Sequence, residues 1–290
     1  MKRRDFLRKT LTGAAITAGA NIPVQAETPK CDLSEWVSLT PNVRTSRLGL
    51  GTGVFGSGRQ SNLTRMDRAK ALDIVRYCYD CGIRFFDMAD MYGTHGIIAE
   101  ALAGKPRDSY VLSTKIWGHP GGLPEQERPT ADVMVPRFLK ELHTDYLDMV
   151  QIHCLMNDRW ESEFARYFDS LNQLKEQGII RAHGVSCHSL RAAQQAAVNP
   201  WVDAMHIRMN TANTRMEGTW DEAAAVTATA KKHGKGVIVM KILGEGSIKD
   251  PAKRRESTLA VARLATKDVM IVGFEAREHV DEFLTNLADA

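Results

Sequence analysis

The 290-residue sequence predicts a single-domain (β/α)8 TIM barrel whose bottom is closed by an N-terminal β-hairpin, and three observations carry that expectation. From Leu48 onward short apolar runs alternate with longer stretches of helical period, the order that calls for parallel strands covered by helices. Eight such units fit into roughly 240 residues, a typical barrel length. No Pro- or Ser-rich linker divides them.

Trp36–Arg47, with Pro41-Asn42 at its centre, reads as the hairpin ahead of the barrel. Strands are expected at Leu48–Thr52, Ile83–Asp87, Tyr110–Lys115, Leu147–His153, Ala182–Ser186, Ala204–Arg208, Gly236–Met240 and Val269–Val272. Helices are expected near Asp67–Cys81, His95–Ala103, Thr130–Leu142, Trp160–Glu176, Leu190–Val198, Glu222–His233, Ala252–Leu264 and Arg277–Leu287. Gly82, Gly104, Gly178 and Gly234 stand where helical patterns stop, and Asp67, Thr130 and Ser189 suit helix starts. The barrel domain is therefore placed at 36–290, with 27–35 as a loose lead-in.

Composition is that of an ordinary globular chain, 43% hydrophobic and 25% charged. Residues 1–26 hold five cations against Asp5, a net +4, so the whole-chain +3 becomes −1 once they are set aside. The basic balance belongs to that segment, and the rest gives no argument for a nucleic-acid partner. Arg3-Arg4-Asp5-Phe6-Leu7, a mildly apolar stretch from Leu11 to Ala20, and Val24-Gln25-Ala26 together resemble a twin-arginine signal peptide. That resemblance implies export of the folded chain by the twin-arginine machinery to the periplasm or beyond the cell. No other apolar run is long enough to span a bilayer, so no stable membrane association is expected. Cys31, Cys78, Cys81, Cys154 and Cys187 are too few and scattered for a disulfide framework. Cys78 and Cys81 fall at the end of a helical pattern, where packing is the better reading than redox chemistry.

Barrels carry their chemistry at the C-terminal ends of the strands. Asp87, Lys115 and His153 close three consecutive strand candidates, and Tyr92 follows in a loop able to fold back over the mouth. A phenol beside an ammonium–carboxylate pair makes chemical sense. The Lys115 cation is expected to draw the Tyr92 pKa towards neutrality while Asp87 holds the lysine charged. Tyr92 then protonates a carbonyl oxygen that His153 orients.

Phe86-Asp87-Met88-Ala89-Asp90-Met91-Tyr92-Gly93, Ser113-Thr114-Lys115 and Asp148-Met149-Val150-Gln151-Ile152-His153 resemble the Asp, Tyr, Lys and His motifs of the aldo-keto reductases. Gly51 and Thr52 fall in a stretch similar to that family's first strand, and Lys241, Leu243 and Gly244 in one similar to the turn after its seventh. The resemblance implies reversible reduction of aldehydes or ketones by hydride transfer from NAD or NADP, with a small carbonyl compound as substrate. It also implies cofactor contacts at Ser186, at Cys187 in place of Asn, and at His206 in place of Gln, with Met209 where the family stacks an aromatic. Gly273, Phe274, Glu275 and His279 fall where the family holds the adenosine end. Glu275 stands where a cation meets the NADP 2′-phosphate, which favours NAD. The loop Trp117–Arg128 is the expected site of substrate specificity.

Two other readings stay open. Cys154, Cys187, His188, His206 and His153 all fall near the ends of strands four to six, and such a cluster can bind a soft metal, although the preferred reading holds none. A barrel without turnover that binds a carbonyl compound or a partner is the third. The export expectation has a direct test: Lys-Lys in place of Arg3-Arg4 should leave the precursor in the cytoplasm, whereas the parent should yield a mature chain starting near Glu27. Unchanged export of the Lys-Lys variant removes the twin-arginine reading.

Overall fold

The computed structural model describes residues 33 and 35–290. The twin-arginine segment, Cys31 and most of the 27–35 lead-in therefore lie outside the described residues. β1 (Trp36–Thr40) and β2 (Val43–Ser46) form an antiparallel hairpin. The barrel strands are β3 (Leu48–Gly51), β4 (Phe85–Asp87), β5 (Val111–Ile116), β6 (Leu147–Leu155), β7 (Ile180–Cys187), β8 (Ala204–Arg208), β9 (Gly236–Met240) and β10 (Val269–Val272). All pair in parallel and close in the order β10-β3-β4-β5-β6-β7-β8-β9.

Around them lie α1 (Asn62–Arg65), α2 (Arg68–Asp80), α3 (His95–Ala101), α4 (Ala131–Leu142), α5 (Trp160–Glu163), α6 (Ala165–Glu176), α7 (Leu190–Val198), α8 (Trp220–Lys232), α9 (Pro251–Ala262) and α10 (Arg277–Leu287). None of the described helices is long and apolar enough to cross a membrane.

The period of two along each strand sorts side chains into two cores. Phe85, Val111, Met149, Ala182, Ile238 and Val269 fill the barrel, together with Leu39 and Val43 of the hairpin, which thereby closes the bottom. The alternate residues, such as Phe86, Leu112, Val150 and Val185, pack outward against the helices. The same parity sends Asp87, Lys115, His153, Ser186, His206 and Arg208 into the upper end of the barrel.

Most departures from the sequence expectation have a local cause. The expected helix Trp160–Glu176 breaks at Phe164 (φ −111°, ψ 12°). The buried Phe164 ring lies over Gly118, where an added Cβ would sit 2.8 Å from it, so tertiary packing overrides the helical pattern. α8 starts at Trp220 rather than Glu222 because Thr219 and Glu222 form a reciprocal capping box. α1 is four residues long, too short to leave a period in the sequence. Cys78 and Cys81 are free thiols; Cys78 is buried on the core face of α2, and burial pushes its thiol well above its ordinary pKa.

Candidate active site

The floor of the barrel mouth is a buried ion pair. Lys115 Nζ donates to Asp87 Oδ1 at 2.5 Å and to the Met88 carbonyl at 2.9 Å, and His206 Nε2 donates to the same Asp87 oxygen at 3.1 Å. Burial alone would raise the Asp87 carboxyl, but Lys115 and His206 together hold it below its ordinary value. Burial pulls the Lys115 ammonium down, and Asp87 restores part of that. The Asp87 carbonyl also accepts from Thr52 N–H at 3.0 Å and Thr52 Oγ1 at 2.8 Å, fixing the end of β4 to the chain leaving β3.

Tyr92 sits above this pair at the end of a short 3-10 turn, Asp90–Tyr92. Two features aim it. Asp90, nearly inaccessible, is clamped by Arg59 at 2.9 Å and Arg137 at 2.6 Å, tying the turn to the β3 loop and to α4. The phenol ring lies against Gly53, where any Cβ would come within 2.2 Å of it, so a side chain at that position would displace Tyr92. The phenolic oxygen is 3.2 Å from His153 Nε2, and Lys115 Nζ lies 5.5 Å from the ring centroid.

The structure corrects one electrostatic expectation here. The Tyr92 phenol is not drawn towards neutrality by Lys115: burial first, then the Asp87 carboxylate, push it well above its ordinary value. Lys115 spends its bonds on Asp87 and Met88, so Tyr92 rests as the protonated phenol.

The rim is rich in neutral imidazoles. His153 packs edge-on against Tyr92, Trp117 and His188, at ring separations of 5.4, 5.4 and 6.2 Å. Burial, reinforced by Lys115 and the other histidines, holds His153 well below its ordinary pKa. Burial and then Arg208 drive His188 down to about 2, and it accepts a hydrogen bond from the Arg208 guanidinium. His119 Nε2 donates to the Cys154 carbonyl at 2.7 Å, and Trp117 and His119 bring the 117–128 loop to the rim as expected.

From Asp87 and Tyr92 a groove of about 320 Å3 leaves the mouth and runs between the β3, β9 and β10 loops to α9 and α10. Gly51, Lys241, Leu243, Gly273, Phe274, Glu275 and His279 line it. Its far end is framed by Asn62, which donates to Glu275 at 2.5 Å, and by the Arg254–Glu282 pair at 2.7 Å.

Residues 47–284 match the family model described as "Aldo/keto reductase family". The chain belongs to the aldo/keto reductase family. It is 30% identical over 185 residues to the NADH-specific methylglyoxal reductase of Escherichia coli, covering 58% of this chain and 52% of that protein. It is 26% identical over 227 residues to methylglyoxal reductase DkgB of Salmonella typhimurium, covering 66% and 80%. The chain thus spans about half the length of several curated relatives it matches, and more of others. A Pseudomonas aeruginosa structure assigned to the aldo-keto reductases superposes with a TM-score of 0.70 at 25% identity, covering 89% of this chain and 95% of that one. The fold is also that of a Klebsiella pneumoniae aldo/keto reductase solved with NADP and acetate (TM-score 0.61, 21% identity, covering 84% and 87%).

For an aldo/keto reductase, several residues at which the resemblance implies cofactor contacts lie outside the groove wall. Cys187 alternates with the inward Ser186, and its side chain is buried in the helix-facing core. His206 points inward but its Nε2 is committed to Asp87, which makes it part of the ion-pair floor. Ser186 Oγ accepts from Cys154 N–H at 2.9 Å and Thr52 serves the Asp87 carbonyl; neither lines the groove. Gly244 is buried and shapes the turn after β9 without facing the groove. Met209 is buried in the outer core and offers no stacking face. The parity of β7 and β8 was the signal that could have separated these residues; the Asp90–Arg59–Arg137 clamp spans three segments and had none.

The Cys/His metal reading loses its ligands. Cys187 faces away, His206 serves Asp87, and no group of three or more His, Cys, Asp or Glu among the described residues is arranged to hold a metal.

The neutral histidines set a pH dependence. His183, lowered to about 4 by burial, joins His153, His188 and His206. As pH falls through about 6.5 the unfolded chain takes protons on these imidazoles and the folded chain does not. Stability should therefore be fully present above about pH 6.5 and fall towards pH 4, each imidazole adding a slope of about 1.4 kcal/mol per pH unit. Urea midpoints at pH 7.5, 6.5 and 5 check this; equal midpoints would show that the folded protein charges its histidines.

Proposed function

We propose that this chain is an oxidoreductase that reduces aldehydes or ketones, and reversibly oxidises alcohols, with Tyr92 as general acid and base. The observation that carries the reading is the Tyr92 phenol held 3.2 Å from His153 Nε2, directly over the buried Asp87–Lys115 pair, at the head of a groove. The names of two relatives, both methylglyoxal reductases, favour a small reactive carbonyl as substrate.

The groove suits an elongated dinucleotide: it starts at the chemistry, passes the Lys241 cation, and ends between two helices. Gly51, Lys241, Leu243, Gly273, Phe274, Glu275 and His279 would hold it. Bound there, the nicotinamide cofactor supplies the hydride. Glu275 is exposed at the far end, which favours NAD over NADP through repulsion of a 2′-phosphate.

His153 is assigned its proton on Nε2, because Nδ1 is buried without a partner and a bare lone pair there costs less than a stranded N–H. Nε2–H and the Tyr92 hydroxyl then converge on one point, where a carbonyl oxygen accepts from both. As negative charge grows on that oxygen, Tyr92 passes it the phenolic proton. The phenolate left behind faces the Lys115 ammonium, which Asp87 keeps charged and aimed. The rest state is thus a protonated acid, with the cation placed to stabilise its conjugate base. Export by the twin-arginine route, and work in the periplasm or outside the cell, form part of the same reading and rest on residues 1–26.

Tyr92→Phe should cut single-turnover reduction of methylglyoxal about 10²–10⁴-fold while leaving dinucleotide affinity unchanged. Lys115→Met should be similarly damaging, because the phenolate loses its cation. Reduction by Tyr92→Phe at the parent rate would sink the mechanism. For cofactor choice, the parent should bind NADH more tightly than NADPH, and Glu275→Arg should reverse the order. A parent that prefers NADPH would show that Glu275 points away from the ribose.

A further inference from the structure

The turn after β9 has a backbone that needs an explanation. Lys241, Gly244, Glu245 and Gly246 all have positive φ, at 59°, 58°, 57° and 82°. Two of the four are not glycines, and the left-handed conformation is strained for a residue with a side chain. Those two residues, Lys241 and Glu245, are bonded to each other. Glu245 also reaches Arg215 Nε at 3.7 Å in the loop after β8, and accepts from Phe55 N–H at 3.5 Å in the loop after β3. One carboxylate therefore links three loops across the groove.

Its position matters because both residues line the groove, between the Asp87–Tyr92 end and the α9–α10 end. Lys241 is the cation at the middle of that path, and it is already neutralised. Burial pulls its ammonium down, and the bond from Glu245 is the largest effect holding it up. An anion entering the groove meets a carboxylate already bound to the Lys241 cation, with Lys249 and Arg254 and the carboxylates Glu275 and Glu282 also lining the wall.

We propose that Glu245 is a displaceable internal anion: its carboxylate takes the place on Lys241 that a dinucleotide pyrophosphate would take, and so sets cofactor affinity. Resting on the dinucleotide reading above, this makes binding an exchange. Glu245 leaves Lys241, the Gly244–Gly246 turn relaxes, and the cation passes from carboxylate to phosphate. The flanking glycines allow the turn to move without new steric cost. Losing the carboxylate–ammonium bond offsets much of what the phosphate gains, so the unaltered protein binds a dinucleotide more weakly than its groove length suggests.

The test is equilibrium binding of NADH to the full chain, followed by cofactor fluorescence, with adenosine as a phosphate-free probe. Glu245→Gln should bind NADH about tenfold more tightly than the parent, since a charge-assisted hydrogen bond to Lys241 no longer competes. Adenosine binding should not change. Glu245→Gly, which accepts the left-handed turn without strain, should show the same gain, and the gain should vanish on a Lys241→Met background. Equal or weaker NADH binding by both Glu245 variants would overturn the proposal and make Glu245 a structural latch. If neither the parent nor the variants bind NADH at all, the dinucleotide reading falls with it.

Discussion

Lys115 and Asp87 are two full charges removed almost entirely from water, and the desolvation penalty of such ions is several kcal/mol each even after relaxation. A fold tolerates this where the buried charges find good hydrogen-bond partners. Lys115 divides its protons between Asp87 and the Met88 carbonyl, Asp87 takes a further bond from His206, and the Asp87 carbonyl is held twice by Thr52. These bonds draw β3, β4, β5 and β8 to one point. They also fix Met88, the residue from which the Tyr92 turn departs. The position of the phenol is therefore a consequence of how the ion pair is satisfied.

That constraint explains what the sequence made legible. The strands that bear the ion pair end where apolar runs end, because the barrel core stops there and the mouth begins, so Asp87, Lys115 and His153 could be picked out from local pattern alone. β8, β9 and β10 match expectation residue for residue, having clear apolar runs between polar loops. Cys187 and His206 were harder, since family resemblance placed them by position while parity and hydrogen bonding decided where their side chains go. The break at Phe164 and the Asp90 clamp depend on contacts between segments 31 to 47 residues apart, which no local window of sequence contains.

The rim histidines and the ion pair share one cause. Burial first, and then the nearby cations, make imidazolium unfavourable at His153, His188 and His206, so the mouth stays free of extra positive charge near neutrality. A charged His153 would favour phenolate on Tyr92 and, on the proposed mechanism, leave the acid spent before a carbonyl arrived. Burial acts on both groups in the compatible direction, keeping the imidazole neutral and the phenol protonated. The dryness that would be costly for an unpaired charge is what holds this pair of neutral donors ready.

The groove shows the opposite arrangement. Beyond Tyr92 two of its cations are met by the chain's own carboxylates, Lys241 by Glu245 and Arg254 by Glu282, and Glu275 binds the neutral Asn62 amide. Such pairing stabilises an apo groove that would otherwise hold like charges close together. On the exchange proposed above, an anionic ligand is recognised at Lys241 by a change of partner, and affinity then reports a difference between two ion pairs of similar strength. Small changes in the internal anion are amplified in such a difference, because neither large term changes alone. The chemistry end of the site is fixed by satisfying buried charge, while the binding end is tuned by how readily that satisfaction can be given up.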